Sequence, residues 1–224
     1  MTEISILQKK ITACTACDRL RSYCLKVAKE KRRAYQDQAY WGKPITGFGD
    51  PNSKVMIVGL APAAHGANRT GRVFTGDRSG DWLYRALYKS GFANQPHATD
   101  IHDRLQLKEA YISCVVKCAP PENKPTTEEE KNCSPFLKEE IESLPSVKIW
   151  IALGQIALKG LWPLLHPQGK PRPRFQHGSV IPLDADRWLL LSYHPSQQNT
   201  FTGRLTEPMF DQVFSRAREI LGKS

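Results

Sequence analysis

Short apolar runs alternating with segments of helical periodicity constrain this chain more than any other feature. Strands are expected over 55–60, 110–116 and 147–153, the first built on Val55-Met56-Ile57-Val58. Between and after them come helices over about 80–91, where Trp82, Leu83, Ala86 and Leu87 recur at helical spacing, and over about 127–143 and 155–165. This alternation implies parallel βαβ units and hence an α/β class. Two further short strands, 179–183 and 187–192, and an amphipathic helix from about 206 to 221 complete the series. A basic, cysteine-flanked helical stretch from about Asp18 to Gln38 precedes it. With 224 residues and 40% hydrophobic content, one domain spanning 1–224 is expected, its first 45 or so residues folded back on the sheet. The Pro/Arg-rich interruption from His166 to Phe175 is too short for an interdomain linker, so it is read as a surface loop, either touching a partner or simply solvated.

Charge narrows the partner. The 32 Lys+Arg against 22 Asp+Glu give +10, which suits a polyanion because neutralised phosphates release counterions; a basic surface kept for solubility is the plain alternative. Basic residues interleave with candidate site segments, as Arg69, Arg72 and Arg78 do around Phe74, a pattern that favours a groove. No run approaches the ~20 apolar residues of a membrane span, and Met1-Thr2-Glu3-Ile4-Ser5 lacks the basic-then-apolar order of a signal peptide, so no membrane partner and a cytoplasmic location are expected.

Six cysteines in such a chain point away from a disulfide framework and toward metal ligation or core packing. Cys14-x-x-Cys17 lies near the start, while Cys118 and Cys133 flank Ala119-Pro120-Pro121-Glu122-Asn123-Lys124-Pro125. Four thiolates suit an iron–sulfur cluster or a tetrahedral zinc, and spacing alone does not choose between them. Cys114 sits in an apolar strand and reads as a buried thiol; Cys24 is the spare that could replace one of the four.

Two loops just beyond strand ends, where open α/β sheets gather their chemistry, carry the remaining signal. One runs Gly59-Leu60-Ala61-Pro62-Ala63-Ala64-His65-Gly66 to Asn68-Arg69-Thr70-Gly71-Arg72-Val73-Phe74-Thr75-Gly76-Asp77; the other is Tyr193-His194-Pro195-Ser196-Gln197-Gln198-Asn199. The glycines and small residues of the Gly59–Gly66 segment allow backbone N–H groups to approach a ligand, but no Lys-Ser or Lys-Thr pair follows them, which disfavours nucleotide hydrolysis. No H-x-x-x-H pair is present for a zinc hydrolase. Taken singly, each residue has a bland reading: His194 a turn residue before proline, Phe74 a core aromatic, Asp77 a helix-start residue, Asn123 an Asx turn.

Together these segments resemble the family 5, or type b, uracil-DNA glycosylases, over most of the chain. The long Gly-Leu-Ala-Pro to Gly-Asp segment is the specific part, whereas His-Pro-Ser is shared across the wider superfamily. The resemblance implies a three-layer fold with a central, mostly parallel sheet flanked by helices. It implies a structural four-iron, four-sulfur cluster on Cys14, Cys17, Cys118 and Cys133, and a monomer acting on double-stranded and possibly single-stranded DNA. Such an enzyme flips a base, holds it by edge and face, and stabilises the departing anion. His194 would stabilise that anion, Asp77 the cationic sugar or the water, and Asn123 would contact the base. Gly59, Ala61, Ala63, His65 and Gly66 would line the base site with Phe74 stacking. Arg69, Arg72, Ser196, Gln197, Gln198, Asn199 and Arg204 would contact DNA, with Arg204 and Gln197 also candidates to fill the vacated gap. Ala61 stands where better-known uracil glycosylases carry a water-orienting Asp, which is why Asp77 is the candidate replacement. Cys114 stands where the sister cluster-bearing type has an Asn, fitting a broader range of deaminated bases, hypoxanthine among them. No Schiff-base lysine stands out, so the product expected is an abasic site. The alternative is a cluster- or zinc-bearing nucleic-acid-binding protein without catalysis. A replication-clamp contact is left open.

Overall fold

The computed structural model describes residues 3–166 and 169–222; Pro167 and Gln168, the start of the expected Pro/Arg-rich loop, lie outside them. Helices α1 (Glu3–Thr12) and α2 (Asp18–Glu30) lead into a six-stranded sheet of order β1-β3-β2-β4-β6-β5. Its centre is parallel: β2 (Val55–Gly59) lies between β3 (Ala110–Cys114) and β4 (Ile149–Leu153), and β6 (Trp188–Ser192) follows β4. The edges β1 (Phe48–Gly49) and β5 (Val180–Pro182) are antiparallel.

The strands of the parallel centre are buried on both faces, almost entirely through apolar residues, because helices cover both. In β2, Val55 and Ile57 point to a core shared with α4 (Arg78–Lys89) and α8 (Glu207–Leu221), through Leu83, Leu87, Phe210 and Phe214. Met56 and Val58 point to the opposite core, shared with α2, α5 (Thr127–Glu142) and α6 (Gln155–Leu165), through Leu20, Leu137 and Leu158. Short helices α3 (Ala67–Thr70) and α7 (Gln197–Phe201) lie in the two candidate loops.

Expected boundaries shift where local geometry intervenes. The first long helix ends at Glu30, not near Gln38, because Lys31 takes a φ of 55°; a 3₁₀ turn, Arg33–Tyr35, follows. β3 ends at Cys114, though Val115 N–H still donates to Gly59 O and Val116 N–H to Leu60 O. The N-terminal segment is fastened to α5 by Arg19, which grips Glu129 with Nε–Oε1 2.8 Å and Nη2–Oε2 2.7 Å. Beneath β3, the ammonium of Lys117 lies 2.6 Å from Glu140 Oε2 and 2.6 Å from Ser113 Oγ, an ion pair closed to solvent.

Candidate active site

The chain runs from β2 to β3 on one side and then crosses back to β4 on the other, so the sheet reverses its winding between β2 and β4. Ligand crevices form outside the carboxyl ends of strands at such a point. A cavity of about 790 Å³ opens there, walled by residues 60–63 after β2, by 153–156 at the end of β4 and by Tyr193, His194 and residues 196–199 after β6. Phe74, Asp77, Asn123, Phe175 and Arg204 are among the other residues that line it.

His194 follows the end of β6, and its backbone is pinned on both sides. Asn199 Nδ2 donates to His194 O at 2.8 Å, and the preceding N–H, of Tyr193, donates to His177 Nδ1 at 3.0 Å. The His177 ring stacks on Tyr193 with centroids 5.0 Å apart and planes 9° apart. Behind His194, Gly154 adopts a φ of 97°, and a Cβ there would sit 3.5 Å from His194 Cβ. The imidazole is 5.8 Å from the Phe74 ring, tilted by 32°. Burial disfavours its charged form and lowers its pKa from 6.5 to about 4, although the pocket mouth leaves part of its surface accessible. The ring is therefore a neutral hydrogen-bonding group at physiological pH.

Asp77 is both things it could have been. Its Oδ1 accepts from Gly80 N–H at 3.0 Å as the N-cap of α4, and the carboxylate lines the cavity. Burial raises its pKa, opposed by the Gly80 and Ser79 amides. Gly66 makes room for it: a methyl there would overlap Oδ2 and lie 2.8 Å from Cγ. Gly59 does the same for Phe74, since an added Cβ would come within 2.7 Å of the ring. These two glycines shape the site from behind rather than lining it. Ala61 and Ala63 do line it. Asn123, in a 3₁₀ turn with a φ of 57°, stands exposed at the cavity edge.

Several expected contact residues are turned elsewhere. Arg69 is 9% exposed, bonded through Nε to His65 O (2.8 Å) and through Nη2 to Gly76 O (2.9 Å), and stacked on Tyr35. Arg72 is 6% exposed and forks onto Asp103 while its Nε donates to Thr75 Oγ1. Both guanidinium groups hold the 59–77 loop together from inside and do not face a phosphate. His65 lies off the cavity wall, its Nδ1 3.0 Å from Tyr40 Oη. In the second loop Ser196 caps α7 and Asn199 holds His194 O, while both still line the cavity. Gln197, Gln198 and Arg204 remain exposed at the rim, Arg204 with its guanidinium 4.6 Å over the Tyr193 ring. Phe175, His177, Gln155 and Ile156 belong to the site or its support but carry no local motif; for Gln155 and Ile156, only their place after a strand end was a signal.

The fold brings the distant cysteines into one neighbourhood. Cys17 is within electrostatic reach of Cys118 and Cys14, and Cys133 of Cys118 and Cys17. Asn132 Nδ2 donates toward Cys17 Sγ at 3.8 Å and Arg21 Nη1 toward Cys118 Sγ at 3.9 Å, the kind of donor that stabilises a ligating thiolate. As the side chains stand, no three His, Cys, Asp or Glu groups among the described residues converge closely enough to hold a metal ion. Cys24 packs against Cys118 and donates to Ala119 O at 3.6 Å. Cys114 is a buried thiol, as expected, with its pKa pushed up to about 12 by burial.

A doubly covered α/β sheet with this strand-end pocket defines the broad class, and comparison with known families agrees with it: the profile described as the uracil DNA glycosylase superfamily matches residues 46–218. Curated relatives named type-5 uracil-DNA glycosylase include one from Mycobacterium tuberculosis, 48% identical over 96% of this chain and 81% of its own length. Another, from Thermus thermophilus, is 44% identical over 95% of both chains. A third, from Pyrobaculum aerophilum, is 43% identical over 93% of this chain and 89% of its own. The chain belongs to the uracil-DNA glycosylase superfamily, in its type-5 family.

Proposed function

We propose that this chain is a monofunctional DNA glycosylase that hydrolyses the bond between uracil and deoxyribose in DNA. The observation that carries the reading is a neutral imidazole, His194, and a carboxylate, Asp77, lining one strand-end cavity in a chain of this family. The target nucleotide is extruded from the stack into the cavity. The electron pair of the C1′–N1 bond leaves with the base, and His194 donates a hydrogen bond to the base oxygen where negative charge grows. Water forms the new bond to C1′ and gives up a proton to Asp77 or to solvent, and the products are free base and an abasic site. Asp77 also faces the cationic sugar, with Oδ1 held by the Gly80 amide. Phe74 forms a wall against which a base can stack, and Asn123, whose carboxamide has no hydrogen bond among the described residues, offers one donor and one acceptor to its edge.

A cavity of about 790 Å³ is roomy for a pyrimidine, and the missing Asn at the Cys114 position removes one edge-reading amide; both favour acceptance of other deaminated bases such as hypoxanthine. Cys14, Cys17, Cys118 and Cys133 would hold a structural four-iron, four-sulfur cluster, with zinc as the alternative; the Asn132 and Arg21 donors beside Cys17 and Cys118 support the reading. Such a group would cross-link the N-terminal segment to α5 and take no part in bond breaking. The protein acts as a cytoplasmic monomer on duplex or single-stranded DNA. Chromatography of bases released from duplexes holding one uracil or one hypoxanthine tests the reaction. Free uracil is the expected product; no free base from protein carrying its metal overturns the proposal. Iron and acid-labile sulfide assays on the same preparation distinguish the cluster from zinc.

A further inference from the structure

Beside the cavity lies a basic segment to which the reaction assigns no role. Lys170, Arg172 and Arg174 are exposed, alternate with Pro171 and Pro173, and make no ion pair or side-chain hydrogen bond among the described residues. Many other cations here are spent internally, as Arg69, Arg72, Arg85 and Arg218 are. The segment is nonetheless anchored at both ends. Trp162 Nε1 donates to Lys170 O at 2.8 Å, and Phe175 both lines the cavity and packs on Tyr193 with ring centroids 5.9 Å apart. Prolines fix φ at two of its positions, so the cations are presented on a stiffened strap that ends at the base pocket.

We propose that residues 170–174 form a phosphate-contacting strap that grips the DNA backbone flanking the flipped nucleotide. An extended segment rising about 3.3 Å per residue carries Lys170 and Arg174 about 13 Å apart, a length that spans about four base steps of B-DNA measured along its axis at 3.4 Å each. Unpaired guanidinium and ammonium groups at that spacing suit a row of phosphates, whereas a merely solvated coil has no need of anchoring by Trp162 and Phe175. The position also sets register: a backbone held at the strap places the neighbouring nucleotide at the mouth between Phe175 and His194. This assignment rests on DNA being the substrate.

The test is salt-dependent binding to a duplex containing one non-cleavable tetrahydrofuran site, measured for the wild type and for K170A/R172A/R174A. A reference variant, K10A/K138A/R216A, loses the same charge from surfaces away from the cavity. The strap variant is expected to lower the slope of log Kd against log salt by up to about 2.7, since each phosphate contact contributes about 0.9. R172K is expected to keep the slope and R172A to lose about 0.9 of it. A strap variant with the same slope as the reference variant overturns the proposal. Uracil excision by the wild type in parallel separates the two claims: excision with an unmoved slope refutes the strap alone, and absent excision refutes the glycosylase reading while the slope still reports on the strap.

Discussion

Replacing Gly66 with alanine tests whether the placement of Asp77 matters for chemistry. Gly66 has a φ of −97°, outside the left-handed region, and an added methyl there acts directly on Asp77. The added methyl would overlap Oδ2 and stand 2.8 Å from Cγ, and the carboxylate must retreat by on the order of 1 Å to regain van der Waals separation. Misplacement of a positioned group by ~1 Å costs about 10²-fold in rate. If the retreat also breaks the Gly80 cap, about 0.5–2 kcal/mol of stability goes with it. Asp77→Asn separates the two effects, because asparagine caps a helix as well as aspartate but carries no charge. Single-turnover excision of uracil should therefore fall by about 10²-fold in Gly66→Ala with a small loss in thermal midpoint, and fall in Asp77→Asn with almost none. A folded Gly66→Ala protein that excises within threefold of the wild-type rate would refute the reasoning.

Three more outcomes follow from the structure. His194 is held neutral, with its pKa lowered from 6.5 to about 4, so the unfolded chain binds a proton the folded one refuses. That contribution is complete above about pH 6.5 and is lost as pH falls toward 4, at most about 3 kcal/mol; denaturant titrations of wild type and His194→Gln should diverge in this window, and equal pH slopes would contradict it. Lys117→Met leaves the Glu140 carboxylate buried without its partner and should cost about 3–5 kcal/mol, read as a large drop in thermal midpoint, while an unchanged midpoint would show that the pair is dispensable. His177→Phe removes the acceptor for Tyr193 N–H and should lower kcat about tenfold with little change in KM, whereas His177→Asn, which keeps an acceptor near Nδ1, should recover most of it; equal kcat in both would contradict a positioning role.

The parallel centre was legible because 55–58, 110–116 and 147–153 are apolar runs separated by helical periods, and both faces of each strand are covered. The edge β5 was legible too, within the strand expected over 179–183, but β1 was not: Phe48–Gly49 is two residues long and carries no period at all. His194 and Asp77 were legible as motif residues, and the fold places both on one cavity. Arg69 and Arg72 misled for a physical reason. Basic residues around an aromatic look the same whether they meet phosphate or protein, and the group that takes Arg72, Asp103, lies 31 residues away. Asn199 lines the cavity and also uses its amide to hold His194 O, a second role that a polar loop residue does not announce in sequence. His177 and Phe175 left no trace, being single residues that reach the site only through the pairing of β5 with β6.

The central claim is that His194 and Asp77 together perform base excision. The measurement that tests it most directly uses end-labelled duplex DNA holding one uracil opposite guanine, incubated with wild type, His194→Ala and Asp77→Ala and then treated with alkali. The account predicts a strand break at the uracil position that requires alkali and falls by about 10²-fold or more in each variant. Undiminished cleavage in both folded variants, or none by wild-type protein carrying its metal, would contradict it.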